Sequence, residues 1–164
     1  AFQNGPVHYP YPVIRMAEMY LNLAEILIEL DALENTTGRL EEAKGLIDKI
    51  RVRAGIPTID EAWKKANHPE KANTAEGLRE IVRRERQIEF YLENQRFWDL
   101  RRWKDAGILG EKVWGMNIEG DTDETFFVPT ELQNIRTFKQ AQYLMPIPMT
   151  ETNKVPHIVQ NPGY

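Results

Sequence analysis

From Val13 to Leu33 the apolar residues recur at helical spacing on two stripes: Ile14, Ala17, Leu21, Ala24 and Ile28 on one, Met16, Tyr20, Leu23, Leu27 and Leu30 on the other. Together they cover most of the circumference, so this segment predicts a helix that has to be packed on both sides. Pro6, Pro10 and Pro12 before it forbid a regular helix and favour an extended lead-in. Asn35-Thr36-Thr37-Gly38 then turns the chain, and Leu40, Ala43, Leu46, Ile47 and Ile50 line one face of a second helix. Arg51 and Arg53 suit the negative end of its dipole, Gly55 can supply a left-handed cap, and Pro57 prevents continuation. The expected product is an antiparallel helix pair.

Residues 56–73 are polar and contain Pro57, Pro69 and a short helix around Asp60 to Ala66, with Trp63 as the only large anchor. Thr74 can cap a third, long helix that runs to about Glu93 and carries Leu78, Ile81, Val82, Ile88 and Leu92 on its apolar stripe. Asn94 tolerates the left-handed conformation, so that helix ends there and a short one, Arg96 to Lys104, begins nearby. After Gly107 the pattern changes to glycine turns and short aromatic pieces such as Thr125-Phe126-Phe127-Val128, then a helix or turn from Thr130 to Ala141. Pro146, Pro148, Pro156 and Pro162 make Leu144 to Tyr164 an extended strap lying over the helices. The fold class is mainly α: a helix pair, a further long helix, irregular loops and a Pro-rich C-terminal strap, in a chain of one-domain length with no second boundary.

Charge and composition narrow the function. With no Cys among its 164 residues, the chain offers no disulfide scaffold, thiolate nucleophile or cysteine-ligated zinc. Net charge is −4, distributed as −4, +3 and −3 over residues 1–50, 51–105 and 106–164, which argues against a general nucleic-acid binder. The longest aliphatic run, Ile26-Leu27-Ile28, is far short of the ~20 apolar residues of a spanning helix. Phosphate loops, dinucleotide fingerprints, Gly-x-Ser-x-Gly and His-Glu-x-x-His are all missing.

Glu85 and Glu89 share one helix face about 6 Å apart. A glycosidase pair must flank a sugar from opposite sides, whereas these point the same way, so arginine neutralisation is the better account. Glu18 and Glu25 also interrupt apolar surroundings seven residues apart, and Arg15, Arg53, Arg86, Arg96, Asp99 and Arg102 complete one expected ion-pair network. A di-metal carboxylate bundle would need Glu-x-x-His pairs, which His8, His68 and His157 do not supply. Asp121, Asp123 and Glu124 offer calcium-type oxygens without an EF-hand pattern, and a polar turn before Phe126 explains them as well. No metal or cofactor is expected. Tyr9, Tyr11, Trp63 and Trp114, in irregular segments, are the candidate ligand-binding aromatics, because their faces can stack on the CH faces of sugars; loop anchoring is the competing role.

Four segments taken in order resemble the C-terminal signature of the SusD/RagB family of nutrient-binding outer-membrane lipoproteins. Arg15-Met16-Ala17-Glu18 through Glu25 is similar to its Arg-Tyr-Ala-Glu helix, and Arg51-Val52-Arg53-Ala54-Gly55 to its Arg-x-Arg-Ala-Gly helix end. Arg84-Glu85-Arg86-Gln87-Ile88-Glu89-Phe90, followed by Glu93-Asn94-Gln95-Arg96-Phe97-Trp98-Asp99-Leu100-Arg101-Arg102-Trp103, is much more specific; Asn94 stands where the family usually has glycine. Met145-Pro146-Ile147-Pro148 and Gln160-Asn161-Pro162-Gly163-Tyr164 resemble its closing motifs.

The resemblance implies a tetratricopeptide-like scaffold and a single C-terminal domain, residues 1–164, from a several-fold longer chain with a native C-terminus, upstream helix pairs and a lipidated cysteine. It implies capture of oligosaccharide or another nutrient at the cell surface of the outer membrane, delivery to a SusC-like TonB-dependent transporter, and no catalysis. These are scaffold motifs, so no ligand-binding residue transfers with them. The alternatives are a helical-repeat protein-interaction module without glycan binding and a glycan-active helical enzyme.

Overall fold

The computed structural model describes residues 13–132, 136–155 and 157–164. They fall into two compact units that divide between Glu93 and Asn94.

In the first unit, α1 (Met16–Glu34) packs against α2 (Leu40–Arg53) and α4 (Ala75–Glu89), with a short α3 (Ile59–Lys65) and a 3₁₀ turn (Pro69–Asn73) between the last two. Ala17, Leu21, Ala24 and Ile28 on α1 meet Ala43, Ile47 and Ile50 of α2 and Leu78, Ile81 and Val82 of α4 in one buried cluster. This is the antiparallel, tetratricopeptide-like pair with a third helix laid on it. The α1–α2 turn is built on Asp31, a fully buried carboxylate that accepts hydrogen bonds from Thr36 Oγ1 at 2.7 Å, the Arg39 amide at 2.7 Å and Arg39 Nη1 at 2.9 Å. Burial pushes its pKa up, but these donors outweigh that and hold it below the ordinary aspartate value.

At the end of α2, Gly55 is left-handed (φ 74°); its amide donates to Val52 O and that of Ile56 to Arg51 O, each at 3.0 Å, which satisfies the last carbonyls by the Schellman arrangement. Thr58 and Glu61 form a capping box on α3. Asp48 Oδ1 adds a bond from the Ile59 amide at 2.8 Å. Thr74 caps α4 by accepting from the Gly77 amide at 3.1 Å.

Two expectations for this unit need correction. First, α4 stops at Glu89, not Glu93; Leu92 is left-handed (φ 65°) and exposed, and Ile88 is exposed as well. The cause is distant in sequence: Arg15 Nη2 takes the Glu89 carbonyl at 2.6 Å, the acceptor that a continuing helix would give to the Glu93 amide, and that amide bonds to Phe90 O instead. Second, the outer side of α1 is left uncovered by the described residues. Met16, Met19, Leu23, Ile26, Leu30 and Leu33, at intervals of three and four, are between 37% and 78% exposed.

In the second unit, Asn94 enters α5 (Gln95–Arg102) at φ 65°. Arg101 lies 3.5 Å over the Phe97 ring, and the hydroxyl of Tyr143 donates to Lys104 O at 2.7 Å. Strands β1 (Trp114–Met116) and β2 (Pro129–Glu131) pair antiparallel, Trp114 opposite Glu131 and Met116 opposite Pro129, with α6 (Asp123–Phe126) between them. Where the sequence suggested a helix or turn from Thr130, β2 runs to Glu131 and a 3₁₀ turn occupies Gln140–Tyr143.

The strap folds back on itself around α7 (Met149–Thr152). Gln160 bonds both the amide and the carbonyl of Ile147 at 2.8 Å, Asn161 Nδ2 donates to Met145 O, and the Tyr164 hydroxyl donates to Leu144 O. The two closing motifs are thus the two sides of one hydrogen-bonded loop, in which Pro146 and Pro148 lack donors and their neighbours are read by side chains.

Candidate functional site

Glu89 sits where the start of α1 and the ends of α2 and α4 meet. Its carboxylate is paired with Arg15, and accepts Arg53 Nη2 through both oxygens at 2.6 and 2.7 Å. Arg15 also donates to both oxygens of Glu93, at 2.7 and 2.8 Å, and lies 5.0 Å from the Phe90 ring centre. Burial raises the Glu89 pKa, but hydrogen bonds from Arg53 and Arg15 with their charges lower it further, so it stays below the usual glutamate value.

Glu85 pairs with Arg51, a residue the sequence placed at the helix dipole and not among the ion pairs. Both side chains are nearly buried, and Arg51 Nε also donates to Pro57 O at 2.7 Å. Arg86 lies 3.8 Å from Glu25 and donates to Asn22 Oδ1 at 2.5 Å. Glu29 and Arg79 form a two-pronged pair at 2.6 and 2.7 Å that the sequence did not single out; it appears only when α1 and α4 are adjacent. Glu18 has no ion pair among the described residues. In the second unit Asp99 pairs with Arg102 at 2.9 Å, while Arg96 lies 5.9 Å from the Trp103 ring and has no carboxylate partner among the described residues. In the first unit these charges form pairs and one three-helix junction, and in the second Asp99 and Arg102 form a further pair. Glu85 is engaged by Arg51; Glu89, held below the usual glutamate value by Arg53 and Arg15, is poised as an anion and not as a proton donor.

Of the aromatic candidates, Tyr9 and Tyr11 lie outside the described residues. Trp63 is part-buried on α3 against the core, with Lys71 Nζ 5.3 Å from its ring, so one face of the indole already holds a cation. Trp114 differs. It is 60% exposed on β1, with Met116 two residues on along the same strand face and Pro129 and Glu131 opposite them. Glu131 is held by Lys112 Nζ at 2.6 Å. A flat ring beside a fixed carboxylate can stack on an apolar sugar face and accept from a hydroxyl. Among the described residues no group of three His, Cys, Asp or Glu side chains is placed to hold a metal ion, and Asp121, Asp123 and Glu124 do not form one.

A sequence profile of the SusD family matches residues 3–164. SusD-like protein P2 of Formosa agariphila is 30% identical over 161 residues, covering 94% of this chain and 26% of that protein. Among solved structures, BT4246 superposes with a TM-score of 0.77 at 32% identity, over 97% of this chain and 25% of that one. A SusD-like protein from Bacteroides fragilis gives 0.71 at 36% identity, over 95% and 28%. This chain spans about a quarter of the length of these relatives. With a family profile matched along nearly its whole length and the same helical scaffold, the chain belongs to the SusD family.

Proposed function

We propose that this chain is the C-terminal part of a longer, lipid-anchored protein that captures oligosaccharide at the outer-membrane surface and passes it to a SusC-like TonB-dependent transporter, without catalysis. Membership of the family supports this reading, and so does the chemistry of Trp114, a large aromatic face left open on a paired strand beside Glu131. The lipid anchor, outside residues 1–164, belongs to this reading through the family; no helix among the described residues is long and apolar enough to cross a membrane. On a glycan array and by calorimetry, Trp114→Ala in the intact protein is expected to weaken oligosaccharide binding at least about tenfold, with unchanged unfolding and no release of reducing sugar. Full binding by the variant would remove Trp114 from the site; sugar release would favour an enzyme.

The uncovered stripe on α1 would also suit a protein-interaction module. We assign it to a helix of the same polypeptide outside residues 1–164, because the relatives are about four times as long and a seam with this spacing fits another helix. Leu23→Glu in the intact protein is then expected to cost about 3 kcal/mol in urea unfolding, since it buries an unpaired charge. On a solvent-facing helix the same change costs within about 0.5 kcal/mol, and that result would return the face to an external partner.

A further inference from the structure

The first unit contains an apolar pocket of about 270 Å³ between α2, α3 and α4 that none of the ion pairs fills. Its walls are Ile56, Ala62, Trp63, Ala66, Ile81 and Ile88. Ile56 and Ile88 form lips exposed to solvent, although both are large aliphatic residues. For scale, an engineered apolar cavity of ~150 Å³ accepts benzene, so this one has room for an aromatic ring and a short polar extension. An oligosaccharide fits it poorly, because each hydroxyl taken inside would need a partner and the walls offer few.

The polar groups at the pocket set the charge of its occupant. Arg51 and Glu85 neutralise each other, and Arg51 spends a further donor on Pro57 O. Arg84 also lines the pocket and is exposed, and its side chain has neither an ion pair nor a hydrogen bond among the described residues. Its neighbours in the fold are engaged: Arg53 by Glu89, Arg79 by Glu29, Arg86 by Asn22 and Glu25. An unspent guanidinium at an apolar pocket presents a planar fork that matches a carboxylate.

We propose that this pocket binds a small amphipathic carboxylate, an aryl or branched-alkyl acid whose apolar body packs on Trp63 and Ile81 and whose carboxylate is taken by Arg84. The site is independent of the oligosaccharide reading, which rests on Trp114, so either can fail alone. The test uses the intact protein with phenylacetate and its neutral analogue phenylacetamide, followed by calorimetry and ligand-observed NMR. Phenylacetate is expected to bind in the millimolar range or tighter, and the amide about tenfold more weakly. Arg84→Gln, at an exposed and unpaired position, is expected to leave the melting temperature unchanged and to bring the acid down to the affinity of the amide. Ala66→Phe, which fills the pocket from its rim, is expected to abolish both. Equal affinity of acid and amide for the wild type, acid binding unchanged in Arg84→Gln, or no binding at about 10 mM phenylacetate would overturn the proposal.

Discussion

Gly77→Ala is expected to destabilise the protein by about 3 kcal/mol, although alanine is the better helix former by about 1 kcal/mol. Gly77 lies in the first turn of α4, buried against the 3₁₀ turn that precedes it. A Cβ there would stand 2.3 Å from the Lys71 carbonyl oxygen and 2.7 Å from its Cα, and these are backbone atoms that no rotamer change can clear. Moving them displaces Ala72, which is 1% exposed in the core, and pulls the Thr74 cap away from the Gly77 amide. Gly45 is the internal control. It is also in a helix interior, but on an exposed face of α2 where a Cβ meets nothing within 4 Å, so Gly45→Ala is expected to stabilise by about 0.5–1 kcal/mol. Urea unfolding of the two variants should therefore give opposite signs; stabilisation by both would show that the Lys71 backbone does not approach α4 as described.

The same contrast explains what could be read in advance. The helix pair was legible because Leu21, Ala24 and Ile28 on one helix and Ala43, Ile47 and Ile50 on the next follow a helical period, and the Gly55 and Thr74 boundaries were legible because caps are local chemistry. The end of α4 was not, since it depends on Arg15, 74 residues away, taking the Glu89 carbonyl. For the same reason Arg51 read as a dipole partner: only the packing of α2 on α4 brings it to Glu85. Asp31 is marked by no local pattern, and only the turn it organises buries it completely. The closing motifs were visible as strings, while their bonding to each other, Gln160 to Ile147 and Asn161 to Met145, required the strap to double back. Trp63 and Trp114 looked equivalent in sequence; strand pairing exposes one, and helix packing with Lys71 covers part of the other.

Glu89→Gln is expected to remove about 2 kcal/mol of stability at neutral pH and to flatten the acid limb of the stability curve. Glutamine keeps the shape but loses the charge that both guanidiniums address, and Arg15, only 24% exposed, is left with Glu93 alone as a charged partner. Arg53 is 57% exposed and solvent screens it, so most of the loss belongs to the Arg15 arm, and Arg53→Gln should cost no more than about 1 kcal/mol. The pH dependence follows from the direction of the shift. Because the folded-state pKa of Glu89 is depressed, its contribution is complete above the unfolded value near ~4.3 and is lost as pH falls through the folded value. Asp31 and Glu29 are depressed too and act with the same sign in the variant and the wild type. Asp48 is raised, chiefly by burial, and acts oppositely: it disfavours folding above its folded pKa and is relieved in acid. Unfolding free energies measured from about pH 3 to 8 should therefore show wild type and Glu89→Gln furthest apart near neutrality and converging in acid. Curves that stay parallel over that range would mean that the arginines give the carboxylate no preference for its charged form, and the junction would then be held by the packing of Phe90 and not by its charges.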